Sequence, residues 1–440
     1  MRGRWTRWPG GCAPPCCRCW PGLRRSRWRT TPESSVGLAT VAGKGVWSEV
    51  VGQPEAVAVL GAAAEAAASI VAGGSPPPGA MTHAWLFTGP PGSGRSSTAR
   101  AFAAALQCQA ADDRPGCGAC AGCHTTLAGT HADVRVVAPE GLSIAVAEMR
   151  ALVQVSARRP TSGRWQVVII ADADRLTEGA SNALLKAVEE PPDRTVFLLC
   201  APSDHPDDVS VTIRSRCRIV SLGTPRLDAI AAALVEDGVP ADEANWAASV
   251  CGGNVSRARR LATEESVRAR RESVLRIPLA LRRPADIFTC ADNLVQAAEA
   301  DALTANESRD ESERHALETA MGAGGTGKGT AAATRGAKGA LKDLEKRQKS
   351  RATRTQRDSL DQALVDLAAF YRDVLVTSSG ATAVLNHPDR AADARTAARE
   401  WTQESTLRRL EAVLACRDAL ELNVKPRIAV EAMLFTLHRG

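Results

Sequence analysis

The sequence has few aromatic residues and no long uncharged apolar run. Aromatic side chains make up 4% of the 440 residues, and only one of them is tyrosine. This scarcity argues against an aromatic-rich β-sandwich, while the abundance of Ala, Leu and Arg favours helices. No uncharged apolar run reaches about eighteen residues, the length that a membrane-spanning helix needs. We therefore predict a helix-rich α/β protein of two to three domains without a membrane span.

The N-terminal region lacks both hydrophobic periodicity and the apolar segment of a secretory signal. It combines Arg, Trp, Pro and Cys in a way that no packed core explains, and we expect residues 1–45 to be disordered. Without a secretory context, the cysteines elsewhere are expected to be reduced, buried or metal-bound.

Positive charge is concentrated in the same region. The formal net charge is +6, but residues 1–45 contain eight arginines and one lysine against the single acid Glu33. The remainder of the chain is close to neutral. This balance and the shortage of aromatic residues for base stacking argue against strong DNA binding by the chain alone.

A glycine-rich segment directly follows the apolar run Ala84–Phe87, which we predict to be a buried strand. Glycines at the spacing found there let backbone amides converge on a polyphosphate, and the start of the next helix adds the positive end of its dipole. Ser96 stands where a hydroxyl would meet Mg²⁺. A simple glycine turn is the other interpretation. The candidate nucleotide-binding residues are Gly89, Gly92, Gly94, Arg95, Ser96 and Ser97.

Position 95 departs from the usual phosphate-loop pattern. A lysine there is a compact point charge, whereas Arg95 brings a broad planar fork that cannot adopt the same geometry. We therefore expect weak nucleotide binding or none. A second glycine-rich segment, 322–329, contains the lysine but lies in a low-complexity region, 306–357, which we interpret as a flexible linker. The role of the basic run 335–357 within it stays open, between a solvated linker and a DNA contact.

Four cysteines follow the predicted helix after the glycine loop, at the spacing C-x8-C-x2-C-x2-C. Glycines between them permit the tight turns that tetrahedral thiolate ligation needs. Four thiolates would complete the coordination shell, so we predict a structural zinc ion. The alternative, two disulfides, does not suit the expected compartment. The predicted ligands are Cys108, Cys117, Cys120 and Cys123.

A second buried strand, 165–170, is followed by Asp172, in the place where a nucleotide-hydrolysing core binds Mg²⁺. The next residue, Ala173, can neither accept a proton nor orient water. Asp174 is displaced by one residue, and we expect it to point elsewhere. As an alternative, Asp172 is an acid that caps the next helix.

Arg216 is presented between small residues in the segment Thr212–Arg218. An arginine directed at a neighbouring subunit's phosphate stabilises transition-state charge. For a single arginine on a loop, solvated surface is the ordinary alternative.

Taken together, these residues resemble the bacterial DNA polymerase III clamp-loader family, whose subunits have the AAA+ fold. The similarity covers about 46–223 and includes the glycine loop, the four-cysteine insert and Ser215-Arg216-Cys217. Within the family, loss of both catalytic positions with the Ser-Arg-Cys segment retained is the pattern of the delta-prime type. That type acts as a stator and provides its arginine to the ATP site of a neighbouring tau/gamma motor subunit.

The resemblance also implies the architecture and the surroundings of the chain. It implies an AAA+ nucleotide-fold domain over 46–223 with a zinc insert at 108–123, a helical lid over 224–263 in which Arg257 matches the sensor arginine, and a helical collar domain over 264–440. ATP and Mg²⁺ would bind at the neighbouring subunit's site, and binding at this chain's own site is in doubt. The implied partners are the tau/gamma and delta subunits, the sliding clamp and primed DNA, in the cytoplasm.

Two other functions remain open at this point. One is an active tau/gamma-like clamp-loader ATPase with unusual site residues, and the other is a zinc-stabilised nucleic-acid-binding AAA+ protein outside replication. For the delta-prime interpretation, we expect no independent ATPase activity. The chain would then be an accessory part of the DNA polymerase III holoenzyme, whose nucleotidyltransferase activity belongs to the complex.

Overall fold

The structure, a computed structural model, describes residues 45–110, 114–139, 141–156, 158–161, 163–320 and 330–440. Residues 1–44, which hold nearly all of the predicted disordered extension, lie outside this range. So does the second glycine-rich segment. Gly45, the last residue of the predicted extension, instead begins a 3-10 helix, Gly45–Glu49.

Within the described residues, five strands form one sheet in which every pairing is parallel. The order across the sheet is β2-β3-β4-β1-β5. Strands β1, β3 and β4 are buried at every position, which explains their continuous apolar sequences. The strands are β1 (Ala84–Thr88), β2 (Val134–Val137), β3 (Gln166–Ile170), β4 (Thr195–Ala201) and β5 (Arg218–Ser221).

Helices cover both faces of the sheet because successive strand residues point to opposite sides. Trp85 and Phe87 belong to the core shared with the first helices, whereas Ala84 and Leu86 pack into the core on the opposite face. The helices are α1 (Pro54–Val71), α2 (Arg95–Leu106) and α3 (Ala121–Leu127) on the first face, and α4 (Val146–Ser156), α5 (Glu178–Glu189) and α6 (Val211–Arg214) on the second. The predicted α/β class is confirmed.

Among the described helices, α1 is the one whose length and apolar composition would also suit a membrane span. Its Leu60, Ala63 and Ala67 are fully buried in the core that contains Phe102 of α2. Packing inside the α/β core therefore accounts for its composition.

The described residues after β5 form helices and the turns that connect them, in agreement with the predicted helical C-terminal part. A small core joins α7 (Leu227–Glu236), α8 (Ala241–Val250) and α9 (Val255–Thr263). A larger core joins α10 (Glu265–Ala280), α11 (Pro284–Ala320), α12 (Thr330–Ser378), α13 (Ala391–Glu400), α14 (Gln403–Glu421) and α15 (Pro426–Arg439). The domain boundaries at 223 and 263 stay predictions.

The expected flexible linker over 306–357 is wrong for the part that the structure describes. Residues 306–320 lie in α11 and residues 330–357 lie in α12, and the two helices pack against each other. Within these stretches the contact is largely polar: buried Arg351 pairs with Asp310 at 2.7 Å and with Glu313 at 2.9 Å, and Gln348 donates to the Asp310 carbonyl oxygen at 3.0 Å. Because polar residues occupy the buried positions, an apolar pattern does not reveal this hairpin.

A buried salt bridge fastens α9 to α12. Nη2 of Arg257 lies 2.6 Å from both carboxylate oxygens of Asp366, and the two side chains are 10% and 4% exposed. His387 contacts the backbone oxygen of Asp366 through Nε2 at 3.1 Å. Removal of one partner from such a pair leaves an uncompensated buried charge.

We expect Asp366→Ala to lower the free energy of unfolding by about 3–5 kcal/mol, because the Arg257 guanidinium would remain buried without its carboxylate. Urea unfolding followed by circular dichroism measures this change. Glu264→Ala is the matched control, since it removes the exposed partner of Arg260 on the same helix and should cost at most about 1 kcal/mol. Equal effects of the two substitutions would contradict the importance of the Arg257–Asp366 pair.

Candidate functional site

A cavity of about 220 Å³ lies where β1 ends and α2 begins. Three segments line it: residues 49–51 and 53 before α1, residues 92–98 of the glycine loop and α2, and residues 254–256 and 259 at the start of α9. Gln53 connects the first of these segments to the glycine loop, because its side-chain amide donates to the Ser93 carbonyl oxygen at 3.4 Å. The same side chain donates to the Gly223 carbonyl oxygen at 2.6 Å and accepts from the Gly223 amide at 3.2 Å, which fixes it to the segment after β5.

Two glycines of the loop have positions that a side chain would disturb. Gly94 has φ +89° and directly precedes α2. Gly92 has φ +88°, and a Cβ added there would lie 2.7 Å from Cβ of Asn254. Glycine at both positions therefore allows the left-handed turn and the close approach of α9.

Arg95 and Ser93 both place unpaired polar atoms in this region. Nη1 of Arg95 and Oγ of Ser93 are buried and have no hydrogen-bond partner among the residues that the structure describes. Ser93 is 2% exposed. Ser96 is exposed, and its hydroxyl interacts with the thiol of Cys200 at the end of β4. Burial raises the pKa of that thiol to about 12, although Arg95 and the Ser96 hydrogen bond act in the opposite direction.

Asp172 follows β3, as predicted, but its carboxylate already has a cationic partner. Oδ2 of Asp172 lies 2.5 Å from Nη2 of Arg354, and Nη1 of Arg354 donates to the Pro139 carbonyl oxygen at 2.5 Å. Arg354 belongs to α12 and is 182 residues from Asp172 along the chain. No local motif connects the two residues, so sequence reasoning missed Arg354.

The residues after Asp172 differ in their surroundings. Ala173 is 3% exposed and belongs to the core under the sheet. Asp174 does not line the cavity, and its carboxylate lies 3.3 Å from Nε of Arg175. Burial raises the pKa of Asp174 and repulsion from Asp172 adds to this, while Arg175 and Arg95 oppose it.

Arg257 does not line the cavity, whereas Arg259 does. Positions two apart on an α-helix point to roughly opposite faces, which explains why Arg257 reaches Asp366 while Arg259 faces the loop. Arg259 is itself paired, 2.7 Å from Asp237 and 3.1 Å from Glu49. The sequence motif around Arg257 thus identified the helix that lines the cavity, α9, but Arg257 itself lies on the face of α9 that points away from the cavity.

Arg216 lies on the surface after α6 and does not line the cavity. Its side chain is 37% exposed, and Nη2 lies 2.7 Å from Oε1 of Glu189 at the end of α5. Nη1 donates to the Thr212 carbonyl oxygen at 2.9 Å. Nη1 also donates to Oγ of Ser215 at 3.2 Å, so the guanidinium is positioned at the surface by an exposed carboxylate, a backbone oxygen and a hydroxyl.

The four predicted cysteine ligands come together at the other end of α2. Their Sγ atoms all lie within 4.8 Å of one another, and those of Cys108 and Cys120 are 4.0 Å apart. A disulfide needs about 2.05 Å, whereas sulfur atoms at the corners of a tetrahedron around zinc are about 3.8 Å apart. The cluster could therefore hold a metal ion.

Backbone amides favour the charged form of one of these thiols. Amides of Gln109 and Cys123 donate to Sγ of Cys120 at 3.4 and 3.5 Å. Burial acts to raise the pKa of Cys120, but these donors and the neighbouring cysteines lower it to about 6. Burial raises the pKa of Cys123. The twelve residues of α2 separate the cysteine cluster from the glycine loop by about 18 Å. A metal ion bound by the cysteines would therefore be too far away to contact a ligand in the cavity.

We expect the purified chain to retain one metal ion, and Cys117→Ser to lose it because one of four thiolates is removed. Elemental analysis after gel filtration measures the ion content. Cys290→Ser, at a half-buried cysteine outside the cluster, is the control and should leave the content unchanged. Loss of metal in both variants, or in neither, would speak against the four-cysteine site.

Comparison with known proteins identifies relatives for the part of the chain that carries the glycine loop and the cysteines. Residues 76–226 match the family described as DNA polymerase III, delta subunit. DNA polymerase III subunit delta' of Pseudomonas aeruginosa is 35% identical over 199 residues, which are 44% of this chain and 59% of the relative. The same subunit of Escherichia coli is 37% identical over 145 residues, 32% of this chain and 43% of the relative.

Subunits of a second type also match. DNA polymerase III subunit gamma/tau of Mycobacterium tuberculosis strain H37Rv is 34% identical over 171 residues, 39% of this chain and 27% of the relative. Among solved structures, a DNA polymerase III gamma subunit-related protein of Thermotoga maritima aligns with 81% of this chain and 94% of its own, at 14% identity and a TM-score of 0.35.

The chain thus spans about half the length of the delta' relatives that it matches. The resemblance to delta'-type subunits of DNA polymerase III, with a further likeness to gamma/tau, is confirmed for the α/β part.

Proposed function

We propose that this chain is a delta-prime-type subunit of a bacterial DNA polymerase III clamp loader. In this proposal it acts as a stator in the cytoplasm and assembles with motor subunits of the tau/gamma type and with a delta subunit. The complex places a sliding clamp on primed DNA. The observation that carries the proposal is an altered phosphate site in a delta'-like chain, with arginine at position 95 and buried alanine at position 173, beside an exposed Arg216.

Arg216 is proposed to complete the ATP site of the neighbouring motor subunit. Its pair with Glu189 is exposed, and such pairs contribute at most about 1 kcal/mol. The guanidinium can therefore leave Glu189 at little cost and approach a phosphate of the neighbour. There it would stabilise the negative charge that spreads over the transferred phosphoryl group.

Arg216→Ala is expected to slow the motor site that faces this subunit by about 10³-fold or more, while the complex still assembles. The measurement is the ATPase of the reconstituted complex, stimulated by clamp and primed DNA, together with its mass. Arg214→Ala is the matched control, because Arg214 is an exposed arginine two residues away that pairs with Asp204. Unchanged turnover in Arg216→Ala would rule out this role.

Hydrolysis at the chain's own site is not expected. Arg95 replaces the lysine, and Ala173 stands in the core where a water-polarising glutamate would be needed. The carboxylate of Asp172 is engaged by Arg354. The similarity to gamma/tau nonetheless makes an active motor the second candidate.

The isolated chain should show no ATP turnover above background in a coupled assay with Mg²⁺. Ala173→Glu should not restore it and should lower the unfolding midpoint, because it places a carboxylate in the core without a partner. Turnover by the purified chain that disappears in Ser96→Ala would instead support the motor function.

We infer that the ion in the cysteine cluster is zinc and that it has a structural role. Four thiolates are a ligand set typical of structural zinc, and they leave no open position for water. The cluster packs beside the first 3-10 helix, where the Val46 amide donates to the Gly116 carbonyl oxygen at 2.9 Å. The ion would fix this segment against the end of α2.

A further inference from the structure

His387 is a buried histidine whose ring lies between two helices of the C-terminal part. It is 3% exposed and directly precedes the 3-10 turn Pro388–Arg390. Nδ1 of the ring lies 2.9 Å from Nη2 of Arg271 in α10, and Nε2 lies 3.1 Å from the Asp366 carbonyl oxygen in α12. The His387 backbone amide donates to Oδ2 of Asp373 at 2.7 Å. Both ring nitrogens and the backbone are therefore held by neighbouring elements.

The two ring contacts determine which nitrogen of His387 carries the proton. A guanidinium can only donate hydrogen bonds, so Nδ1 must accept from Arg271. A carbonyl oxygen can only accept, so Nε2 must donate to Asp366. The neutral ring with its proton on Nε2 satisfies both partners. A second proton, on Nδ1, would break the contact with Arg271 and place two cations side by side.

The charges around the ring already balance one another. Each of three arginines pairs with one aspartate, so a proton on His387 would be a buried positive charge without a carboxylate of its own among the described residues. Burial lowers the pKa of His387; Asp366 acts in the opposite direction, and Arg271 adds to the lowering. The pairs are Arg257 with Asp366 at 2.6 Å, Arg271 with Asp389 at 2.7 Å and Arg372 with Asp373 at 3.0 Å, and Arg390 of the turn pairs with Asp393 at 3.3 Å.

The same residues connect the small helical core to the larger one. The guanidinium of Arg271 lies 5.9 Å from the ring centroid of Trp246 in α8, and Trp246 packs against the core of α7, α8 and α9. Arg257 of α9 binds the carboxylate of Asp366, the residue whose carbonyl oxygen faces the ring of His387. The junction between the two cores is thus built around this ring.

We propose that His387 is a pH-sensitive switch at this junction: the neutral ring fastens the core of α7, α8 and α9 to α10 and α12, and a proton on Nδ1 loosens it. Because the closed junction disfavours the charged ring, the opened junction takes up the proton first. The stabilisation is complete above the ordinary histidine pKa of about 6.5 and is lost as the pH falls below it. The proposal does not depend on the clamp-loader function.

Hydrogen exchange of the full chain, read by mass spectrometry and corrected for the intrinsic rate, tests this switch. From pH 7.5 to pH 5.5, the opening equilibrium constant of amides in 255–263 and 386–387 should rise about tenfold, the value for uptake of one proton at a pKa of about 6.5. His387→Gln should abolish this rise, because an amide can accept from Arg271 and donate to Asp366 without titrating. His315→Gln, at an exposed histidine of α11, is the control and should respond like the unmodified chain.

A second measurement needs no substitution. Nitrogen NMR of the chain labelled at its seven histidines distinguishes neutral from protonated rings. At pH 6.0, where exposed histidines are mostly protonated, two rings should remain neutral: His387, and His131, whose pKa burial also lowers. Fewer than two neutral rings would overturn the proposal. So would an unmodified chain without the tenfold rise in opening, or an equal rise in His387→Gln.

Discussion

The ion pair between Arg354 and Asp172 links the helical C-terminal part of this chain to the α/β fold, at the carboxyl end of β3. The same helix, α12, holds Asp366, which pairs with Arg257 of α9. Positions 354 and 366 are about 18 Å apart along a helix. One helix therefore contacts both the edge of the sheet beside β3 and the helical segment that closes over the glycine loop. Through these two pairs, α12 connects the carboxyl end of β3 to α9, whose first residues line the cavity.

The stator function proposed above would require such fixed contacts between the α/β part and the C-terminal helices. In a working ATPase, the acid after β3 and an arginine on the α9 segment would both be free to respond to nucleotide. Here each is committed to a carboxylate or guanidinium of the C-terminal helices. Of these two pairs, Arg257–Asp366 is nearly inaccessible to water, so solvent screens it little. Movement between the parts would require breaking both pairs.

Much of the fold and part of the site could be predicted from the sequence. The buried strands, the glycine loop and the cysteine cluster are encoded by residues close together in the chain, and local rules of burial, turn formation and metal ligation apply to them directly. Two contacts between residues far apart in the chain could not be predicted: the ion pair of Arg354 with Asp172, and the ion pair of Asp366 with Arg257, which holds Arg257 on the side of α9 away from the cavity. The pairing of residues 306–320 of α11 with 330–357 of α12 escaped for a different reason, because most of the buried residues described there are Arg, Asn and Gln, and Leu344 is the apolar exception.

That polar interface has a consequence for how the region can vary among related chains. Buried ion pairs fix the register of two helices more than they add to stability, so the hairpin depends on a few matched positions such as Arg351 with Asp310 and Glu313. The exposed positions between them are free to drift. In related chains, we therefore expect this region to change quickly at its exposed positions and to keep the spaced set of paired charges.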